Sequence, residues 1–188
     1  MKVFVDVDTL GDFFEGGALP VPDADEIRPT LAKITKFAKS QKIPILKFND
    51  SHDGTEPEMK ANGGPFPWHC MSGTEGAASI RETSCKNAVI FEKQTYDVFD
   101  SSLGNKKVDR WLKENNVTEA WVYGVVGNIC VEAAVLGLLK RGIRVYIFKN
   151  AITWMDMENG IFCNDIDNRE KSIARMKKAG ALIAVAKL

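Results

Sequence analysis

The sequence predicts an α/β protein, a three-layer αβα sandwich built on a mostly parallel six-stranded sheet. Three observations predict it. Six short runs rich in β-branched and aromatic residues recur along the chain. Four stretches with helical hydrophobic spacing fall between them. No repeat, linker or low-complexity segment interrupts the alternation, so residues 1–188 read as a single domain. Strands that alternate with helices need crossover connections, which make neighbouring strands parallel and cover both sheet faces with helices.

The elements follow in order. Lys2–Val7 reads as the first strand. Asp23–Gln41 reads as a helix, because Ile27, Leu31, Ile34 and Phe37 share one face. Ile43–Phe48 is the second strand and ends at the stretch "FNDSHDG". Residues 50–86 form the longest irregular region, rich in Gly, Pro, Ser and Thr. A loop this long in a compact domain is usually functional or mobile. Asn87–Phe91 is the third strand, Leu103–Asn115 a helix and Glu119–Tyr123 the fourth strand. A helix runs from about Cys130 to Lys140 and is closed by Gly142. Arg144–Phe148 is the fifth strand, Ile166–Ala179 the last helix and Leu182–Ala186 the sixth strand.

Composition excludes several classes. Hydrophobic residues make up 45% and charged residues 27%, as in a soluble globular protein. Acidic and basic residues balance at 25 each, which argues against nucleic acid or an anionic membrane as the partner. The start "MKVFVDVD" meets an acid at position 6, unlike a signal peptide, and no apolar run approaches the ~20 residues of a membrane span. Cys70, Cys85, Cys130 and Cys163 have no tight spacing, so they read as reduced thiols of a cytoplasmic protein.

In parallel sheets, ligands bind beyond the strands' C-terminal ends. Asp8 follows the first strand, Asp50 and His52 the second, Lys93 the third, and "GVVGNIC" the fourth. Cys130 there opens a helix, where the dipole and free N–H groups favour thiolate. Gly124 and Gly127 permit a tight strand-to-helix turn whose N–H groups face a developing oxyanion. An Asp beside a thiol can take its proton and pass it to a leaving group, and a Lys ammonium steadies both. Asp6 is a rival for Asp8, but it lies within the strand pattern.

That constellation needs no histidine, so the chain's two histidines are free for other work. Asp50 and His52 project to the same side of an extended segment, and His69 ends the same loop. One carboxylate and two imidazoles suit an open site for a divalent metal, Zn²⁺ first, with Mn²⁺ or Fe²⁺ as alternatives. Glu58 is the fourth ligand expected, ahead of Glu56. Cys70 reads as packing, and the "WMDMENGIFCNDIDNR" segment (154–169) has no assigned role.

Five ordered blocks resemble the isochorismatase-like cysteine hydrolases, and within them the nicotinamidases and pyrazinamidases: "DTLGDFFEGGALPV", "NDSHD", "PFPWHCMSGTEGA", "FEKQTYDVF" and "YGVVGNICVEAAVLGLLKRG". The resemblance implies a catalytic triad of Asp8, Lys93 and Cys130, and metal ligation by Asp50, His52 and His69. It implies a cis peptide between Val125 and Val126, an oxyanion held by the N–H groups of Val126 and Cys130, and Phe13 and Phe66 flanking a pyridine ring. The implied activity is hydrolysis of nicotinamide to nicotinate and ammonia through a thioester, a step of NAD salvage. The implied partner is a small amide, and a homo-oligomer is left open.

Three departures stand out. Many members carry a further His after Asp-x-His, and that spacing gives Glu58 here. Phe66 precedes Pro67 where Trp is frequent. Gly127, Asn128 and Ile129 replace polar residues before the nucleophile. The alternatives are an amidohydrolase acting on a carbamoyl or ureido compound, an isochorismate-type ether hydrolase, and a non-catalytic binding module of the same fold.

Overall fold

The structure is a computed structural model and describes residues 1–100, 105–155 and 169–187. Strands β1 (Lys2–Val7), β2 (Ile45–Asp50), β3 (Val89–Lys93), β4 (Glu119–Gly124), β5 (Arg144–Ile152) and β6 (Leu182–Ala184) form one sheet in the order β3-β2-β1-β4-β5-β6. Every pairing is parallel. The helices are α1 (Ala24–Ser40), α2 (Asn105–Glu114), α3 (Cys130–Lys140) and α4 (Arg169–Lys178). No helix among the described residues is long and apolar enough to cross a membrane.

Alternation along β1 explains the layering. Val3, Val5 and Val7 point into one core with residues of α2, α3 and α4, such as Leu112, Val135 and Met176. Phe4 points the other way, into a second core with Ile27, Leu31 and Ile34 of α1. Each buried Leu, Ile or Phe side chain contributes about 1.5–3 kcal/mol of transfer free energy. Asp6 shares the α1 face but is not stranded there, because Lys47 Nζ lies 2.5 Å from its carboxylate and Thr9 Oγ1 donates to it at 2.7 Å. That pairing commits Asp6 to the interior and leaves Asp8 at the strand end.

The strand boundaries differ from expectation where charge hides a strand. β2 runs on to Asp50, and β3 spans Val89–Lys93 instead of 87–91. The parallel register continues through Asn49↔Glu92 and Asp50↔Lys93, so neighbouring backbone recruits polar residues whose own propensity is low. β5 likewise extends to Ile152 through Lys149 and Asn150. β6 stops at Ala184, where the Asn150 side chain takes over by bonding both the N–H and the carbonyl of Ala186. The expected starts of the second and last helices, 103–104 and 166–168, lie outside the described residues, as does most of the 154–169 segment.

From β1 the chain builds outward through β2 to β3 and then returns to add β4 on the other side of β1. Strand order therefore reverses between β1 and β4, which opens a crevice at their C-terminal ends.

Candidate active site

Asp8 follows β1 directly and adopts φ of 50°, a left-handed conformation in which Asp is among the few tolerated residues. Its N–H donates to the Phe48 carbonyl at 3.0 Å, and its Oδ1 accepts the Asp50 N–H at 2.7 Å. The carboxylate is thus fixed by β2. Lys93, the last residue of β3, lies opposite Asp50 in the sheet register. Its Nζ forms an ion pair with Asp50 Oδ1, lies 2.8 Å from Asp8 Oδ2 and reaches Cys130 Sγ at 3.5 Å. The ammonium is 1% exposed, so three strand ends and one helix start converge on a buried cation.

Electrostatics here follow from burial and that one charge. Burial raises Asp8 to about 7, Asp50 pushes the same way and Lys93 opposes. Burial would raise Asp50 as well, but Lys93 and His52 hold it down at about 2. Lys93 stays charged: burial disfavours the ammonium, yet Asp50 and Asp8 lift its pKa well above the ordinary value. At Cys130 two effects oppose each other. The residue opens α3, but burial pushes its thiol well up and Lys93 offsets this only in part. Asp8 and Asp50 each bring a carboxylate oxygen within 4.8 Å of Sγ, and Asp8, the one that burial raises to about 7, is the candidate base for the thiol proton.

The turn before Cys130 has its own steric logic. Gly124 sits at φ of 124°, and a Cβ there would come 2.0 Å from the Val7 carbonyl oxygen. Gly127 has a different reason from the expected backbone bend. A Cβ there would meet the Trp154 ring at 2.6 Å, so the glycine makes room for an indole. The Val125–Val126 peptide is cis. Gly127 N–H donates to Thr153, and the N–H groups of Ile129 and Val131 both donate to the Val126 carbonyl. Among the described residues, no acceptor takes the N–H of Val126 or Cys130.

Asp50, His52 and His69 bring donor atoms within 4.8 Å of one another. His52 Nε2 lies 3.8 Å from Asp50 Oδ1 and 3.3 Å from Glu58 Oε1, and His69 Nε2 lies 3.9 Å from the same Glu58 oxygen. Glu58 therefore faces the cluster. Glu56 does not: it lies on the Nδ1 side of His52 and accepts the N–H groups of Asp53 and Gly54. These residues fit a divalent cation. Both ring nitrogens of His52 are buried without a hydrogen-bond partner, which is costly unless a ligand satisfies them. Burial disfavours a charged His52, but Asp50, Glu58 and Glu56 outweigh it and raise its pKa. Burial, reinforced by Asp50, pushes Glu58 up to about 7. The cluster carries more carboxylate than Lys93 alone neutralises. Two imidazoles with two carboxylates suit Zn²⁺, Mn²⁺ or Fe²⁺.

A cleft beside these groups is lined by Phe13, Phe66 and Val126 together with Asp50, Glu58, His69 and Cys130. Leu19, Tyr96, Ile129 and Met155 complete it and were not anticipated. Tyr96 stands edge-on to Phe66 at 6.1 Å, and both Phe13 and Phe66 stand edge-on to His69. Tyr96 lies three residues after Lys93, and that spacing was the one signal for it. Met155 is held by Asn128, whose amide bonds both its N–H and its carbonyl.

Asp12 organises the rim. Its carboxylate accepts the N–H groups of Cys70 at 2.7 Å and Ala18 at 3.0 Å, tying the loop of Phe13 to the loop of His69. Gly76 leaves room for that carboxylate, since a Cβ there would lie 2.1 Å from Asp12 Oδ2. A larger cavity of about 710 Å³ opens at the other end of the sheet, between the end of α1 and the start of β2. Its lysines, Lys39, Lys42 and Lys86, meet none of the site residues.

Known proteins resemble this chain in sequence and fold. The nicotinamidase of Escherichia coli strain K12 is 26% identical over 176 residues, covering 81% of this chain and 83% of that one. The pyrazinamidase of Pyrococcus horikoshii, solved in complex with zinc, is 28% identical and superposes with a TM-score of 0.84 over 98% of both chains. The N-carbamoylsarcosine amidase of Thermoplasma acidophilum shares the fold at a TM-score of 0.77 and 22% identity, over 100% of this chain and 97% of that one. A profile described as the isochorismatase domain matches residues 2–187, and with the six-stranded parallel fold reproduced across nearly the whole length, this chain belongs to the isochorismatase family of hydrolases.

Proposed function

We propose that the protein is an amidohydrolase that converts nicotinamide to nicotinate and ammonia through a thioester on Cys130. One observation carries this reading: Lys93 touches Asp8, Asp50 and Cys130 at once, so the nucleophile and the cluster of cation ligands share one buried hub. The cleft supports a neutral aromatic amide. Its walls are aromatic and aliphatic, and the carboxylates of Asp8, Asp50 and Glu58 disfavour an anionic substrate.

Asp8 takes the Cys130 proton as Sγ attacks the amide carbon, so the thiolate exists only as it reacts. The oxyanion is held by the N–H groups of Val126 and Cys130, each such donor being worth about 3–4 kcal/mol. Asp8 returns the proton to the departing amine, and ammonia leaves the thioester. Asp8 then takes a proton from water, hydroxide attacks the same carbon, and Cys130 is released with its proton restored from Asp8. Asp50, His52, Glu58 and His69 would hold the cation, which when bound supplies a Lewis-acid anchor for the pyridine nitrogen. The zinc of the Pyrococcus horikoshii pyrazinamidase supports Zn²⁺ here. Phe13 and Phe66, each edge-on to His69, would flank the substrate ring.

The test is ammonia release from nicotinamide, pyrazinamide and a panel of carbamoyl and ureido compounds, before and after chelation. Chelator-sensitive turnover of the pyridine amide is expected. Turnover of the ureido compounds alone, indifferent to chelator, would replace this reading with the carbamoyl one.

The pH profile follows from Asp8. Its pKa of about 7 means that below this pH the carboxyl is already protonated and cannot take the thiol proton. We expect kcat/KM to fall about tenfold per pH unit below an apparent pKa near 7. A profile flat from pH 8 down to pH 5 would remove Asp8 from the proton transfer.

A further inference from the structure

We propose that Glu56 is a positioning residue for the cation site: its carboxylate stands beside His52 Nδ1 and, when a cation takes Nε2, accepts the Nδ1 proton, which fixes Nε2 as the nitrogen that faces the cluster and strengthens it as a donor. The inference rests on reading Asp50, His52, Glu58 and His69 as cation ligands, and it concerns a residue outside that set.

The geometry around Glu56 is built rather than incidental. The residue is 5% exposed in a loop that is mostly open to solvent. Each carboxylate oxygen is held by a backbone donor, Oε1 by Asp53 N–H at 2.8 Å and Oε2 by Gly54 N–H at 2.9 Å. The Asn62 amide donates to the Glu56 carbonyl at 2.9 Å and to the Gly54 carbonyl at 2.8 Å, which fixes the backbone beneath. The carboxylate is therefore set in place, with Oε1 3.3 Å from His52 Nδ1. Glu58 lies at the same distance from Nε2, so the two glutamates face different nitrogens of one ring.

His69 supplies the internal comparison. Its Nδ1 lies 2.8 Å from the Pro67 carbonyl, and its Nε2 faces Glu58. Both imidazoles thus have an oxygen beside Nδ1, hydrogen-bonded in His69 and 3.3 Å away but not aligned for a hydrogen bond in His52, and both turn Nε2 toward the same cluster. That oxygen belongs to a neutral carbonyl for His69 and to a carboxylate for His52. A carboxylate draws harder on the Nδ1 proton and leaves more electron density at Nε2, the effect of an outer carboxylate on a ligating imidazole. His52 is fully buried, so no water competes for that proton.

The experiment separates this role from a merely structural one. Zn²⁺ affinity is measured by competition with a chromophoric chelator, and the Co²⁺-substituted protein is followed by its visible absorption. Glu56→Gln keeps the side-chain length and a neutral acceptor, and is expected to lose 10- to 100-fold in Zn²⁺ affinity and to shift the Co²⁺ bands. Asn62→Ala loosens the same turn without touching the carboxylate, and is expected to bind Zn²⁺ within about threefold of the native protein while unfolding more easily. Glu56→Gln affinity within twofold of native, or an equal loss in Asn62→Ala, would overturn the assignment. A native protein that takes up neither ion would instead remove the cation site itself, and Glu56's role with it.

Discussion

Replacing Cys130 with alanine is expected to lower kcat/KM for amide hydrolysis by at least about 10⁴-fold while leaving the protein folded. The size of the effect comes from the site's division of labour. Val126 and Cys130 still offer their N–H groups in the variant, since those belong to the backbone, and the cleft still holds a ring. Only the nucleophile is gone. Asp8 cannot substitute for it, because its Oδ1 already accepts the Asp50 N–H and its Oδ2 lies against Lys93. The fold tolerates the change because Lys93 retains both of its carboxylates, and a lost sulfur costs only a small cavity in the core of α3. The covalent route has a second readout. Added hydroxylamine should divert part of the native enzyme's product to the hydroxamate, by capturing the thioester, and the variant should form none. A Cys130→Ala protein that retains a few per cent of native turnover would remove the thioester from the scheme.

The parts of this site that were legible in the sequence are those fixed by strand ends. Asp8, Lys93 and Cys130 each stand where a strand gives way to a loop or helix, and a parallel sheet gathers such positions at one edge. Asp6 was a rival for Asp8 until the structure paired it with Lys47, and only cross-strand contact could supply that partner. Lys93 was placed beyond its strand because Glu92 and Lys93 have poor strand propensity, whereas β2 holds them in register. The burial that opposes a Cys130 thiolate was hidden for a related reason. A helix terminus is visible in sequence, but the depth at which it is buried is not. Glu58 was expected ahead of Glu56, and a turn between them sends one to each nitrogen of His52. Met155 entered the cleft through Asn128, a contact across 27 positions that no local pattern announces.

Lys93→Met should be the most destabilising single change at the site, by about 3–5 kcal/mol at neutral pH, with kcat/KM reduced by roughly 10²- to 10³-fold. Methionine reproduces most of the aliphatic stem, so the loss reads out charge rather than packing. In the native protein the ammonium compensates Asp8 and Asp50, both nearly inaccessible to water. Without it, two carboxylates within 4.8 Å of each other face a low-dielectric interior alone. The sign of the pH dependence distinguishes this from a packing defect. Native Asp50 is held at about 2, below its ordinary value of 3.8, so it contributes stability above pH 4 that is lost only as pH falls through 2. In the variant Asp50 loses the charge that holds it down, and Asp8, already at about 7, is pushed higher still. Their folded pKa values lie above the unfolded ones, and the penalty for ionising them is present at pH 7 and disappears on acidification. Urea unfolding of both proteins should therefore show a stability gap that is widest near neutrality and narrows toward pH 4. A gap that stays constant across that range would mean that Lys93 supports the sheet through its hydrocarbon stem, and that its ammonium is not the hub on which the two carboxylates and the thiol depend.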